Sequence, residues 1–83
     1  MRNIKDYNRI KALLDKLEKE GVEPVYQFIK KCKPSFGSSG YSAVINDLIA
    51  CCPSAKDWNN SNYREFFKQD VIYYCEYYLD EIE

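Results

Sequence analysis

Between Asn62 and Glu83 the apolar positions recur with the period of an α-helix and leave almost no polar side. Tyr63, Phe67, Val71, Tyr74, Tyr78 and Ile82 follow one another at spacings of four, four, three, four and four, which is one helical face. Phe66, Cys75 and Leu79 widen that face, and Ile72, Tyr73 and Tyr77 widen it further. Glu65, Gln69, Glu76, Asp80 and Glu83 make the narrow polar strip that remains. A helix apolar around so much of its girth is expected to be packed on several sides. The pattern therefore predicts a long central helix over about 62–82, with the rest of the chain wrapped around it. Asn62 is placed to cap it by accepting from the Glu65 amide.

Shorter patterns precede it. Residues 4–20 read as a first helix, with Asn3 as cap, Asp6 in the first turn, and Tyr7, Ile10, Leu13, Leu14 and Leu17 as the buried face. Gly21 stands where a left-handed residue ends such a helix. A second helix is expected over about 24–33, with Pro24 in the first turn and Val25, Tyr26, Phe28, Ile29 and Cys32 inward. A third, over about 42–52, turns Val44, Ile45, Leu48, Ile49 and Cys52 inward and is stopped by Pro53. Ser54 to Asp57 forms a capping signal for one short turn carrying Trp58, and the polar run Asn59 to Asn62 separates it from the last helix. Residues 34–40 are rich in glycine and serine and read as a mobile loop anchored by Phe36. Their glycines do not fit a phosphate-binding loop. No strand alternation or repeat is present. The expectation is an all-α fold: one domain over 1–83, a compact four-helix arrangement with a short extra turn before the long C-terminal helix.

Composition changes this picture in one respect. The chain has 83 residues, 46 % hydrophobic and 30 % charged, which is globular and not disordered. Its aromatic content is unusual, with eight tyrosines, four phenylalanines and one tryptophan. Such rings supply large buried area per residue, which suits a short chain. No leader-type apolar segment follows Met1, and no stretch reaches the roughly 20 apolar residues a membrane span needs. A soluble, cytoplasmic protein is the expectation.

Net charge is −1, but unevenly spread. Residues 1–33 hold nine Lys/Arg against five Asp/Glu, or +4, and residues 34–83 hold three against eight, or −5. Either the two halves complement each other within the fold, or each faces a different partner. Lys5, Arg9, Lys16 and Lys19 line up on one face of the first helix, near Arg2, and form a candidate basic face for phosphates or an acidic protein. The alternative for that line is a solvated helix back with partners such as Asp15 and Glu20. Lys30, Lys31 and Lys33 gather at the end of the second helix, where they complement its dipole.

Catalytic chemistry finds little support. The chain has no histidine, so the usual base near neutral pH is missing. Cys32, Cys51, Cys52 and Cys75 show no C-x-x-C pair, and no metal or cofactor is expected. Free buried thiols are the reading, with a Cys32–Cys75 disulfide as the open alternative. The candidate site is instead the acidic, tyrosine-rich end of the last helix: Asp70, Tyr73, Glu76, Tyr77, Asp80 and Glu81. Tyrosine offers a rigid contact with a polar tip, and interleaved acids suit a basic surface. Asp70 lies about 20° from Tyr63 on the helical wheel and needs either a partner from another helix or an exposed position. These features point to a non-enzymatic protein-interaction module, of inhibitor or immunity and anti-defence type, docking on another protein. That partner's surface is one that normally holds nucleic acid, in the most specific form of this reading. Direct nucleic-acid binding through the basic face is the alternative, and a self-associating structural subunit is a third.

Overall fold

A computed structural model describes residues 4–34 and 40–82, without the side chains of residues 81 and 82. All regular structure among the described residues is helical: α1 (Ile4–Glu20), α2 (Val22–Lys31), α3 (Gly40–Cys51), α4 (Ala55–Trp58) and α5 (Ser61–Ile82). The all-α expectation of four helices with a short extra turn therefore holds. None of the helices is long and apolar enough to cross a membrane.

Each boundary has a local cause. Gly21 separates α1 from α2 with φ 89° and ψ −179°, a backbone conformation open essentially to glycine alone. Its amide still donates to the Leu17 carbonyl at 3.0 Å, closing α1. With one residue as the whole connection, α2 starts at Val22 and not at 24, and ends at Lys31 rather than 33. Pro24 is then its third residue, where the missing N–H would have had no partner within the helix anyway. α3 runs from Gly40 to Cys51, two residues earlier at its start than the periodicity suggested. Cys52, next to Pro53, cannot extend it. Ser54 caps α4 as expected, its hydroxyl accepting from the Asp57 amide at 3.1 Å.

The cap of α5 differs from expectation. Asn62 is the second residue of the helix, and its own amide donates to the Asn60 side-chain oxygen at 2.9 Å. The Asn60 carbonyl also accepts from the amides of Tyr63 and Arg64. With three candidate asparagines in a row of four polar residues, the sequence did not distinguish which one caps.

The core draws on all five helices: Ile10, Leu13 and Leu17; Val25, Tyr26 and Ile29; Val44, Ile45 and Leu48; Trp58; Phe67, Val71 and Cys75. Its aromatic centre is a trio. The Tyr26 and Trp58 rings lie face to face, with centroids 3.7 Å apart, and Phe67 meets both edge-on at 5.8 and 5.7 Å. Each polar tip is satisfied: the Tyr26 hydroxyl donates to the Pro53 carbonyl at 3.0 Å, and the Trp58 indole N–H donates to the Glu23 carboxylate. This trio joins α2, the short α4 and the start of α5, and explains why a four-residue helix is held in place. Asp6, only 4 % exposed, accepts from the Tyr41 amide at 3.4 Å and so caps the start of α3 from α1. Sequence gave it only a role in its own helix.

Three inward assignments are corrected. Phe28 is 38 % exposed, because it lies about 110° around α2 from the middle of the Val25, Tyr26 and Ile29 stripe. Tyr63 and Phe66 are exposed as well, although both were read as part of the packed face of α5. That helix packs chiefly on α3 and α1 and touches α2 and α4, yet the described residues leave one side uncovered. The thinnest dimension of the molecule is 17 Å, room for about two helix layers. The long helix expected to be packed on several sides, with the chain wrapped around it, thus keeps an open outer face among the described residues.

Candidate protein-binding face

The buried stripe of α5 is Phe67, Val71 and Cys75. Tyr73 lies about 160° around the helix from its middle, Phe66 about 140° and Tyr77 about 120°. Those three rings therefore project away from the core, at 64 %, 62 % and 50 % exposure. From Phe66 to Tyr77 the stripe takes in twelve residues, about 16 Å along the helix. Tyr63 meets Phe66 edge-on at 6.3 Å and extends it toward the start of α5. Gln69, Glu76 and Asp80, all exposed, flank the rings on one side. Gln69 is tied to Glu65 by a 3.1 Å hydrogen bond.

Of the residues singled out from sequence, Tyr73, Glu76, Tyr77 and Asp80 come together on this outer face. The side chain of Glu81 lies outside the described residues. Asp70 does not join them. It is half-buried and turned toward α3, where its carboxylate lies against the Cys51 thiol. Burial and that neighbouring carboxylate together push the Cys51 thiol up to about 12. Asp70 thus meets a thiol of another helix, whose own hydrogen bond runs to the Leu48 carbonyl at 3.6 Å. Cys75 is fully buried and likewise pushed up to about 12, by desolvation first and the Glu76 charge second. All four cysteines are free. Protonated at neutral pH, Cys51 and Cys75 are not thiolate nucleophiles.

Sequence reasoning missed the other half of this end of the molecule. Tyr74 and Tyr78, read as core, are only half-buried, and Asp47 of α3 stands beside them. The Tyr78 hydroxyl donates to Asp47 Oδ2 at 3.0 Å. Burial raises the pKa of Tyr78, and the Asp47 hydrogen bond and charge raise it further. Tyr74 is raised in the same direction, by burial first and then by Cys51, Asp47 and Asp70. The exposure of Phe66 was readable, since it falls between Tyr73 and Tyr77 on the helical wheel. The approach of Asp47 was not, since it depends on how α3 crosses α5.

The basic face of α1 is more engaged. Arg9 lies over the Tyr41 ring, 5.3 Å from its centroid, and Lys16 pairs with Glu20 at 3.5 Å. Lys5 and Lys19 are exposed, and Arg2 lies outside the described residues. Arg9, Lys16, Phe28 and Tyr41 border a cleft of about 240 Å³ floored by Ala12 and Leu13. The fold and this face define a small helical domain with an aromatic, acid-flanked outer helix. No family model, curated protein or solved structure matches the chain.

Proposed function

We propose that the chain is a non-enzymatic interaction module of inhibitor type, in the manner of immunity or anti-defence proteins. It docks the outer face of α5 on a basic surface of a partner protein, a surface of the kind that otherwise holds nucleic acid. One observation carries the reading: Phe66, Tyr73 and Tyr77, three large rings of one helix, stand at least half exposed beside Glu76 and Asp80. Stability does not call for large rings in such positions, and contiguous exposed aromatics mark contact surfaces. Tyrosine ordered by a helix loses little freedom on binding, and it is enriched among the residues that dominate interface energy. The flanking acids give the face a sign, favouring encounter with a basic partner.

The test is affinity capture of the tagged protein from lysate of its source cells, with and without nuclease, beside a variant carrying Tyr73→Ser, Tyr77→Ser, Glu76→Gln and Asp80→Asn. One stoichiometric protein that survives nuclease and is lost with the variant is the expected result. Partners that disappear with nuclease, or that the variant retains, would contradict it. A mass in light scattering that rises with concentration in the wild type alone would assign the same face to self-association instead.

A further inference from the structure

The cleft between α3 and the last turns of α5 has a more specific chemistry than the stripe beside it. It holds about 200 Å³ and is lined by Asp47, Tyr73, Tyr74, Tyr77 and Tyr78. Tyr73 and Tyr77 are nearly parallel, 20° apart with centroids at 6.4 Å. Tyr74 stands edge-on to Tyr73 at 5.3 Å, and Tyr78 edge-on to Tyr77 at 5.1 Å. The planes of Tyr74 and Tyr78 thus stand across those of Tyr73 and Tyr77 around one small volume. A cation within about 6 Å of such faces is attracted by the ring quadrupoles.

The fifth lining group adds a full negative charge. Asp47 Oδ2 accepts from the Tyr78 hydroxyl, and a carboxylate has about four lone-pair sites, so capacity remains for further N–H donors. No lysine or arginine is among the described residues lining the cleft. Asp70 adds to the field felt at Tyr74, and Glu76 and Asp80 stand exposed on the same end of α5. Among cations, a guanidinium matches best. It is planar, is weakly hydrated, stacks on aromatic faces, and offers N–H pairs to a carboxylate. An ammonium is rounder and gives up more hydration.

We propose that this cleft receives the guanidinium of one arginine side chain carried by the partner protein. The proposal rests on the docking role of α5 and names the side chain that role centres on. The arginine lies over Tyr73 or Tyr77 and donates to Asp47, which the Tyr78 hydroxyl holds in place.

The experiment titrates the isolated protein with acetyl-arginine amide and follows the tyrosine ring signals by NMR. Acetyl-citrulline amide, close in shape but neutral, is the control. Saturable shifts at Tyr73, Tyr74, Tyr77 and Tyr78 are expected, with a dissociation constant on the order of millimolar. The citrulline probe leaves those signals in place. Asp47→Asn weakens the arginine probe at least about tenfold, since the lost hydrogen bond is charge-assisted. Tyr77→Leu, at an exposed ring and so harmless to folding, weakens it too. No saturable shift, an equal response to citrulline, or unchanged affinity in both variants would overturn the site. Failure of the probe leaves the docking face of α5 to be judged by its own capture experiment. A probe that binds to a protein capturing no partner would overturn the docking role, and with it the partner as source of the arginine.

Discussion

Gly21 shows how one residue sets the path of the chain. It is the whole connection between α1 and α2, and a Cβ built there would meet nothing within 4 Å. Any cost of substitution must therefore come from its backbone, with φ at 89° and ψ at −179°. Gly21→Ala is predicted to lower stability by about 1–3 kcal/mol in urea unfolding. Asparagine eases the left-handed helical region but not an extended ψ, so Gly21→Asn is expected to cost about as much as alanine. The thiols give a second prediction at this scale. Cys51 and Cys75 rise from 9.0 to about 12 in the folded chain, so between those pH values the folded state keeps protons that the unfolded chain has lost. The stability these thiols contribute is accordingly full below pH 9 and is lost as pH rises toward 12. The urea midpoint should decline across that window, and less steeply in Cys75→Ala than in the wild type. The raised tyrosines act in the same direction, so the slope shrinks in the variant without vanishing.

At the scale of elements, helix identity was legible because apolar spacing and breakers agreed along the chain. Pro53, Gly21 and the Asn59 to Asn62 run fell where helices end. The details that escaped depend on tertiary partners. Asp6 looked like a first-turn acid of α1, yet it is buried and caps α3 through Tyr41, thirty-five residues away. Asn62 looked like the cap of α5 because Glu65 follows it by three, but the Asn60 side-chain oxygen, which accepts from the Asn62 amide, takes that role. Asn60→Ala should therefore cost about 0.5–2 kcal/mol, while Asn62→Ala should stay within about 0.5 kcal/mol of wild type in thermal unfolding. The aromatic trio fixes α4 in the same way. Phe67→Ala removes the ring that meets both Tyr26 and Trp58 edge-on, and should cost about 3–5 kcal/mol. The helix content of the remaining folded fraction should not change.

The whole molecule explains why part of the candidate site was legible and part was not. Periodicity marks a helix as apolar all round, but cannot say whether enough chain exists to cover it. Here the body is 17 Å thick, and the 22-residue α5 packs chiefly on α1 and α3, with its outer side left open by the described residues. Tyr73 and Tyr77 fell on that open side, as the sequence suggested, whereas Asp70, one turn before Tyr73, fell against α3. The charge asymmetry is spatial as well. Arg9 and Lys16 lie on α1 and are engaged there with Tyr41 and Glu20, whereas Glu76 and Asp80 flank exposed rings on α5. The central claim is that the second of these surfaces, and not the first, is the one that binds. It is tested most directly by calorimetry of the captured partner against two variants of equal melting temperature. One carries Tyr73→Ser, Tyr77→Ser, Glu76→Gln and Asp80→Asn on α5, and the other Lys5→Gln and Lys19→Gln on α1. A loss of affinity of a hundredfold or more in the first, with less than about threefold in the second, is the predicted result. Affinity that falls with the α1 variant and survives the α5 variant would contradict it.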